Sequence, residues 1–171
     1  CGGTIAFDIA AKDSNISFYI SLAGAAVRGD SLMLKQVELI SKSQGMPDPV
    51  WQTMKPSVRY RYSLLQQTDK SADEIRKEVY ADVTRTMSAE QLKDLNTVQQ
   101  RSAQINSMTS PWYLHFMRYD PTASLKKIKC PVLALNGEKD IQVDADMNLT
   151  AIRQHISENG NKNVTIKVYP K

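Results

Sequence analysis

The run Cys130–Val143, CPVLALNGEKDIQV, constrains this chain more than any other stretch. Pro131 favours the start of a strand, because proline lacks the N–H that the interior of a ladder needs. Val132, Leu133, Ala134 and Leu135 follow without a polar interruption, the pattern of a strand buried on both faces of a parallel sheet. Asn136 and Gly137 end it with a turn signal. Asp140 then stands in the loop beyond the carboxyl end of the strand, the edge at which open α/β sheets bind ligands. A buried parallel strand needs neighbouring strands and covering helices, so the expected fold class is α/β.

Two more strands are expected. In the run 16–23, Ile16, Phe18, Ile20 and Leu22 share one face while Tyr19 and Ala23 make the other partly apolar, so both faces should be covered. In the run 164–169, Val164, Ile166 and Val168 alternate with Thr165, Lys167 and Tyr169, as in a more exposed strand. Residues 3–12 read as a helix whose buried side carries Ile5, Phe7 and Ile9, followed by the turn cluster Asp13, Ser14 and Asn15. Beyond Asp140, Asp144 or Asp146 can cap a helix bearing Leu149, Ile152 and Ile156, closed by Gly160.

From about residue 28 to residue 119 the spacing predicts helices alone. Leu32, Met33, Val37 and Ile40 mark the first, and Val50, Met54, Val58, Tyr62 and Leu65 the second, which Pro56 should kink or split. Ser71 with Glu74 and Ser88 with Gln91 are two capping boxes, hence the starts of two separate helices. Ser110 and Pro111 begin another, bearing Trp112, Tyr113 and Phe116.

The pattern Gly137-x-x-Asp140-x-x-Val143 resembles the acid-bearing strand end of the α/β-hydrolases. Helix, strand and a small-residue exit at Gly24, Ala25 and Ala26 resemble the segment that succeeds the nucleophile elbow in that family. The resemblance implies a partial α/β-hydrolase sheet of about three strands, with residues 1–27 and 120–171 as the core portion and residues 28–119 as a helical lid. It implies that Asp140 is the triad acid, with Asp144 as runner-up. If Gly2 closes a Gly-x-Ser-x-Gly elbow, Cys1 supplies an oxyanion-hole N–H and the serine lies one residue before the chain. The family's last strand resembles Val164–Tyr169 and precedes the loop that carries the catalytic histidine. The expectation is therefore a portion of a serine hydrolase that cleaves carboxylic esters through an acyl-enzyme and is inactive by itself. A lid shapes the acyl pocket, so Trp112, Tyr113 and Phe116 are candidate substrate contacts. The expected partners are a small-molecule ester and, over the open sheet edge at 16–23, the missing half of the fold or a second copy.

Other classes are constrained by composition. The 22 basic and 18 acidic residues of the 171 are interspersed, and the net charge of +4 forms no block, which argues against nucleic acid. No apolar run approaches the roughly 18 residues of a membrane span, and no signal peptide is visible within the chain. Compartment is left open by these features. Cys1 and Cys130 make no disulfide framework, and they with His115 and His155 fit no metal spacing, so no metal and no cofactor is expected. Neither histidine is placed to act as the base. Two alternatives stay open. A leading Cys1 suits an N-terminal-nucleophile hydrolase, whose thiol attacks while its own amine serves as base. The helical block suits a non-enzymatic interaction module.

Overall fold

The computed structural model describes residues 2–85 and 87–170. In chain order the elements are α1 (Gly2–Lys12), β1 (Tyr19–Leu22), α2 (Gly29–Ser43), α3 (Asp48–Gln66), α4 (Ala72–Arg85), α5 (Ala89–Lys93), α6 (Leu95–Met108), α7 (Pro111–Arg118), α8 (Thr122–Leu125), β2 (Val132–Gly137), α9 (Ala145–Glu158) and β3 (Val164–Tyr169). They fall into two compact units, Cys1–Trp51 with Asp120–Lys171, and Gln52–Tyr119. The fold class is mixed α/β.

The first unit holds a parallel three-stranded sheet in the order β1-β2-β3. β2 is central, as its unbroken apolar run requires. Its register sets Tyr19, Val132 and Val164 in one row and Ser21, Ala134 and Ile166 in the next, all on one face. Phe7 and Ala10 of α1, Leu125 of α8, and Leu149, Ile152 and Ile156 of α9 pack against that face and form the core with it. Phe7 meets Tyr19 edge-on, with ring centroids 5.5 Å apart. Asp144 caps α9 by accepting from the Met147 N–H at 2.8 Å, and Gly160, at φ 86°, follows its end.

The opposite face corrects the sequence reading. Ile20 and Leu133 form one row there and Leu22 and Leu135 the next, yet Leu22 is 71% exposed and Ile20 46%. The sequence pattern predicts cover on both faces of β1, and among the described residues only the Tyr19 and Ser21 face has it. The strand itself is shorter than 16–23 because β2 begins at Val132, the partner of Tyr19, so residues 16–18 have no ladder to join. On α1, Phe7 is buried as expected, but Ile5 and Ile9 point away from the sheet and are 60% and 54% exposed. Residues 5, 7 and 9 cannot share one face of a helix that turns every 3.6 residues.

α2 belongs with the sheet rather than with the other helices, so the unit boundary falls after Trp51, not near residue 28. Lys35 of α2 reaches Asp144, Nζ to Oδ2 3.9 Å, and Lys42 reaches Asp48 at the start of α3, 2.7 Å.

Among the described residues of the second unit the regular elements are all helices. Its buried side chains include Tyr62, Leu65, Ile75, Val79, Ile105, Leu114 and Met117. Both capping boxes form: the Ser71 N–H donates to Glu74 while the Glu74 N–H donates back to Ser71, and Ser88 and Gln91 do the same. The helix expected from Ser88 onward breaks at Asp94, which caps α6 by accepting from the Asn96 and Thr97 N–H groups. Pro56 sits inside α3 without dividing it.

Candidate active site

Three segments meet the carboxyl edge of the sheet. The first is the loop after β2, where Asn136 and Asp140 act as hydrogen-bond organisers. Asp140 Oδ1 accepts from the backbone N–H groups of Gln142, 2.8 Å, and Val143, 2.9 Å. The Asp140 N–H donates to the Gly137 carbonyl at 3.2 Å. Asn136, buried at the strand end, accepts from the Gly137 N–H with Oδ1 and donates to the Val143 carbonyl with Nδ2, both at 2.9 Å. One carboxylate oxygen of Asp140 is thus committed to shaping its own loop. The other, Oδ2, has no hydrogen-bond partner among the described residues, and the side chain is only half-buried. Oδ2 is therefore the oxygen of this carboxylate left to accept a further hydrogen bond.

The second segment is the exit of β1. Ala23 adopts a φ of 48°, a left-handed conformation that costs an alanine of order 1 kcal/mol. It turns the chain sharply into Gly24, where a Cβ would lie 2.3 Å from Ser21 Oγ. A side chain there would have to displace the Ser21 hydroxyl and press on the Phe7 ring, 3.3 Å away.

The third segment is the first turn of α1. A Cβ on Gly3 would come 2.9 Å from the Gly24 Cα, so the two backbones touch. The Tyr19 hydroxyl donates to the Gly3 carbonyl at 3.3 Å. These contacts hold the beginning of α1 at the same edge of the sheet as the Asp140 loop.

The remaining sequence candidates fare differently. Asp144 caps α9 with Oδ1, and its Oδ2 lies 3.9 Å from Lys35 Nζ. His155 lies eleven residues beyond Asp144 on α9, about 16 Å along the axis at about 1.5 Å per residue, and its Nδ1 is 3.3 Å from Glu158. His115 is exposed on α7 beside Tyr119. Trp112, Tyr113 and Phe116 form a ring cluster on α7, Trp112 stacked on Phe116 with centroids 5.6 Å apart. Trp112 is 61% exposed, whereas burial raises the Tyr113 hydroxyl above its ordinary pKa. Cys1 lies outside the described residues. Cys130 is a free thiol whose pKa is pushed up by burial.

A cavity of about 420 Å³ opens at the other end of the strands, lined by Lys12, Lys127, Lys129 and Cys130 among others, and Asp140 takes no part in it. Among the described residues no group of His, Cys, Asp and Glu could hold a metal ion, and no helix is long and apolar enough to cross a membrane.

Sequence reasoning missed Asn148. This side chain is 1% exposed in the interior of α9; its Oδ1 accepts from the Ala26 N–H and its Nδ2 donates to the Asp144 carbonyl, both at 2.8 Å. The available signal was an asparagine, a weak helix former, inside a helix that otherwise buries apolar residues.

No family model matches the sequence, and no curated protein matches it. Among solved structures the chain is similar to esterase E22, at 12% identity and a TM-score of 0.44, over 99% of this chain and 52% of that one. It is also similar to the structure of Rv0554 from Mycobacterium tuberculosis, at 16% identity and a TM-score of 0.38, over 98% and 53%. The chain spans about half the length of the structures it matches.

Proposed function

We propose that this chain carries the acid-bearing half of a serine hydrolase that cleaves carboxylic esters through an acyl-enzyme. One observation supports the reading most: Asp140, at the carboxyl end of the central strand, keeps Oδ2 free while Oδ1 is held by two backbone N–H groups. In such an enzyme the acid orients the histidine and stabilises the imidazolium formed when the histidine takes the serine proton. That role needs a carboxylate held rigidly with one oxygen to spare. The abutment of α1 on the exit of β1 adds support, since it holds the first turn of α1 at the edge of the sheet where Asp140 stands.

In this reading the serine precedes Cys1 in the gene product, Cys1 contributes the oxyanion-hole N–H, and the histidine follows β3. Residues 28–119 are the lid, and Trp112, Tyr113 and Phe116 are its candidate substrate contacts. The open sheet face at Ile20 and Leu22 is covered by the rest of the fold or by a second copy.

The uncovered apolar face also favours a second reading, an interaction module whose sheet docks on another protein. The N-terminal-cysteine alternative is disfavoured, because those enzymes are built on antiparallel sheets and this sheet is parallel.

Fluorophosphonate labelling of the full-length gene product, with the modified residue located by peptide mass, tests the reading. A label on a serine immediately before Cys1 is expected. Absence of any serine label, with an intact fold, sinks it.

A further inference from the structure

We infer that Asn148 is a positioning residue that sets the distance between the beginning of α1 and the Asp140 loop. The inference rests on the serine-hydrolase reading and adds to it a residue outside the triad. A continuous path of short contacts carries it. The first turn of α1 meets the exit of β1 backbone to backbone at Gly3 and Gly24. Two residues on, the Ala26 N–H donates to Asn148 Oδ1 at 2.8 Å. The same amide, through Nδ2, donates to the Asp144 carbonyl at 2.8 Å. Asp144 follows the loop that Asp140 and Asn136 close by holding the Val143 N–H and carbonyl.

The chemistry of the side chain fits this role. An amide offers an acceptor and a donor on one planar group, so it can satisfy a backbone N–H and a backbone carbonyl on two different segments at once. Asn148 does so while fully buried, where an unmade hydrogen bond is most costly. Helix α9 would be as well capped without it, since Asp144 Oδ1 already holds the Met147 N–H. What Asn148 adds is a tie from α9 to the exit of β1, 122 residues earlier in the chain.

The consequence is catalytic geometry rather than binding. With the tie loosened, the Asp140 loop and the serine ahead of α1 move apart, and the histidine that must meet both no longer keeps its bond to the acid. The imidazolium then loses its carboxylate partner and the histidine pKa falls. The acid limb of the kcat/KM profile, which reports that histidine in the free enzyme, moves to lower pH. A variant that merely unfolds a fraction of the molecules scales the profile and leaves the limb in place.

The test uses the full-length gene product and a chromogenic ester, with pH profiles for Asn148→Leu, Asn136→Leu and Asp140→Asn. Asn148→Leu keeps the volume of the amide and removes both its acceptor and its donor, so the tie to the Ala26 N–H and the Asp144 carbonyl is lost with no new charge. Its kcat/KM is expected to fall on the order of tenfold to a hundredfold with the acid limb displaced downward. Asn136→Leu frees the Val143 carbonyl from the other side of the loop, again without a new charge, and is expected to displace the limb in the same direction should Asn148→Leu not fold. If Asp140→Asn abolishes turnover while the folded Asn variants keep the parental limb, the positioning role is overturned and the hydrolase reading stands. If Asp140→Asn turns over ester normally, the reading falls and the positioning role with it.

Discussion

The two faces of the sheet are made of similar residues and have different fates. On one, Tyr19, Val132, Ala134, Val164 and Ile166 lie beneath α1, α8 and α9 in the core. On the other, Ile20 and Leu22 stand exposed in rows with Leu133 and Leu135. Parallel sheets carry helices on both faces because each crossover lays a helix on one of them. A face that leaves two of its four aliphatic side chains in solvent is therefore incomplete among the described residues. The difference teaches that alternation along a strand reports which side chains are apolar, and that their cover is decided elsewhere.

The largest effect expected of this contrast is in stability. Phe7→Ala on the covered face should cost about 3–5 kcal/mol, because a fully buried aromatic leaves a cavity. Leu22→Ala on the open face should change the stability of the same chain by less than about 0.5 kcal/mol. Urea denaturation compares them, and equal costs would mean that the open face is packed in solution.

Association comes next. Replacing Ile20 and Leu22 together by lysine should reduce concentration-dependent self-association of the 171-residue chain in sedimentation velocity, because an apolar face beside an unpaired strand edge is adhesive. In the full-length product the same pair should block folding, since two lysines cannot be buried unpaired. Soluble, active full-length double variant would show that the face is never covered.

The smallest effect is electrostatic and belongs to the covered side. Glu158, at the end of α9, is held down to about 2 by hydrogen bonds from Gln154, Lys126 and His155. Lys126 follows α8, so the Lys126–Glu158 pair at 3.0 Å ties two covering helices together. The folded pKa lies below the ordinary value of 4.5, so this contribution is complete above about 4.5 and is lost as pH falls towards 2. Glu158→Gln should flatten the acid side of the stability profile slightly. An unchanged slope would show that the pair is solvent-screened.

Local signals were the legible part of this fold. Pro131 and the run to Leu135 mark the central strand. The Ser71–Glu74 and Ser88–Gln91 boxes mark helix starts because capping is a matter of four consecutive residues. Asp140 is legible as a carboxylate at a strand end, and its Asx-type loop follows from its distance to Gln142 and Val143. The illegible part depends on distant partners. The extent of β1 is set by where Val132 begins, more than a hundred residues later. The exposure of Ile5 and Ile9 follows from the side of α1 that Phe7 turns to the sheet. Asn148 is tied to Ala26, with the whole second unit between them in sequence, and no pattern within α9 names that partner.

The proposed function turns on Asp140, rather than its neighbour Asp144, acting as the acid of an ester-cleaving triad. The most direct measurement is kcat for ester hydrolysis by Asp140→Asn and Asp144→Asn in the full-length gene product. Asp140→Asn is expected to lose on the order of 10⁴-fold, as removal of a triad carboxylate does. Asp144→Asn should stay within about tenfold, because asparagine caps a helix nearly as well as aspartate. A large loss in Asp144→Asn with Asp140→Asn close to parental would contradict the account.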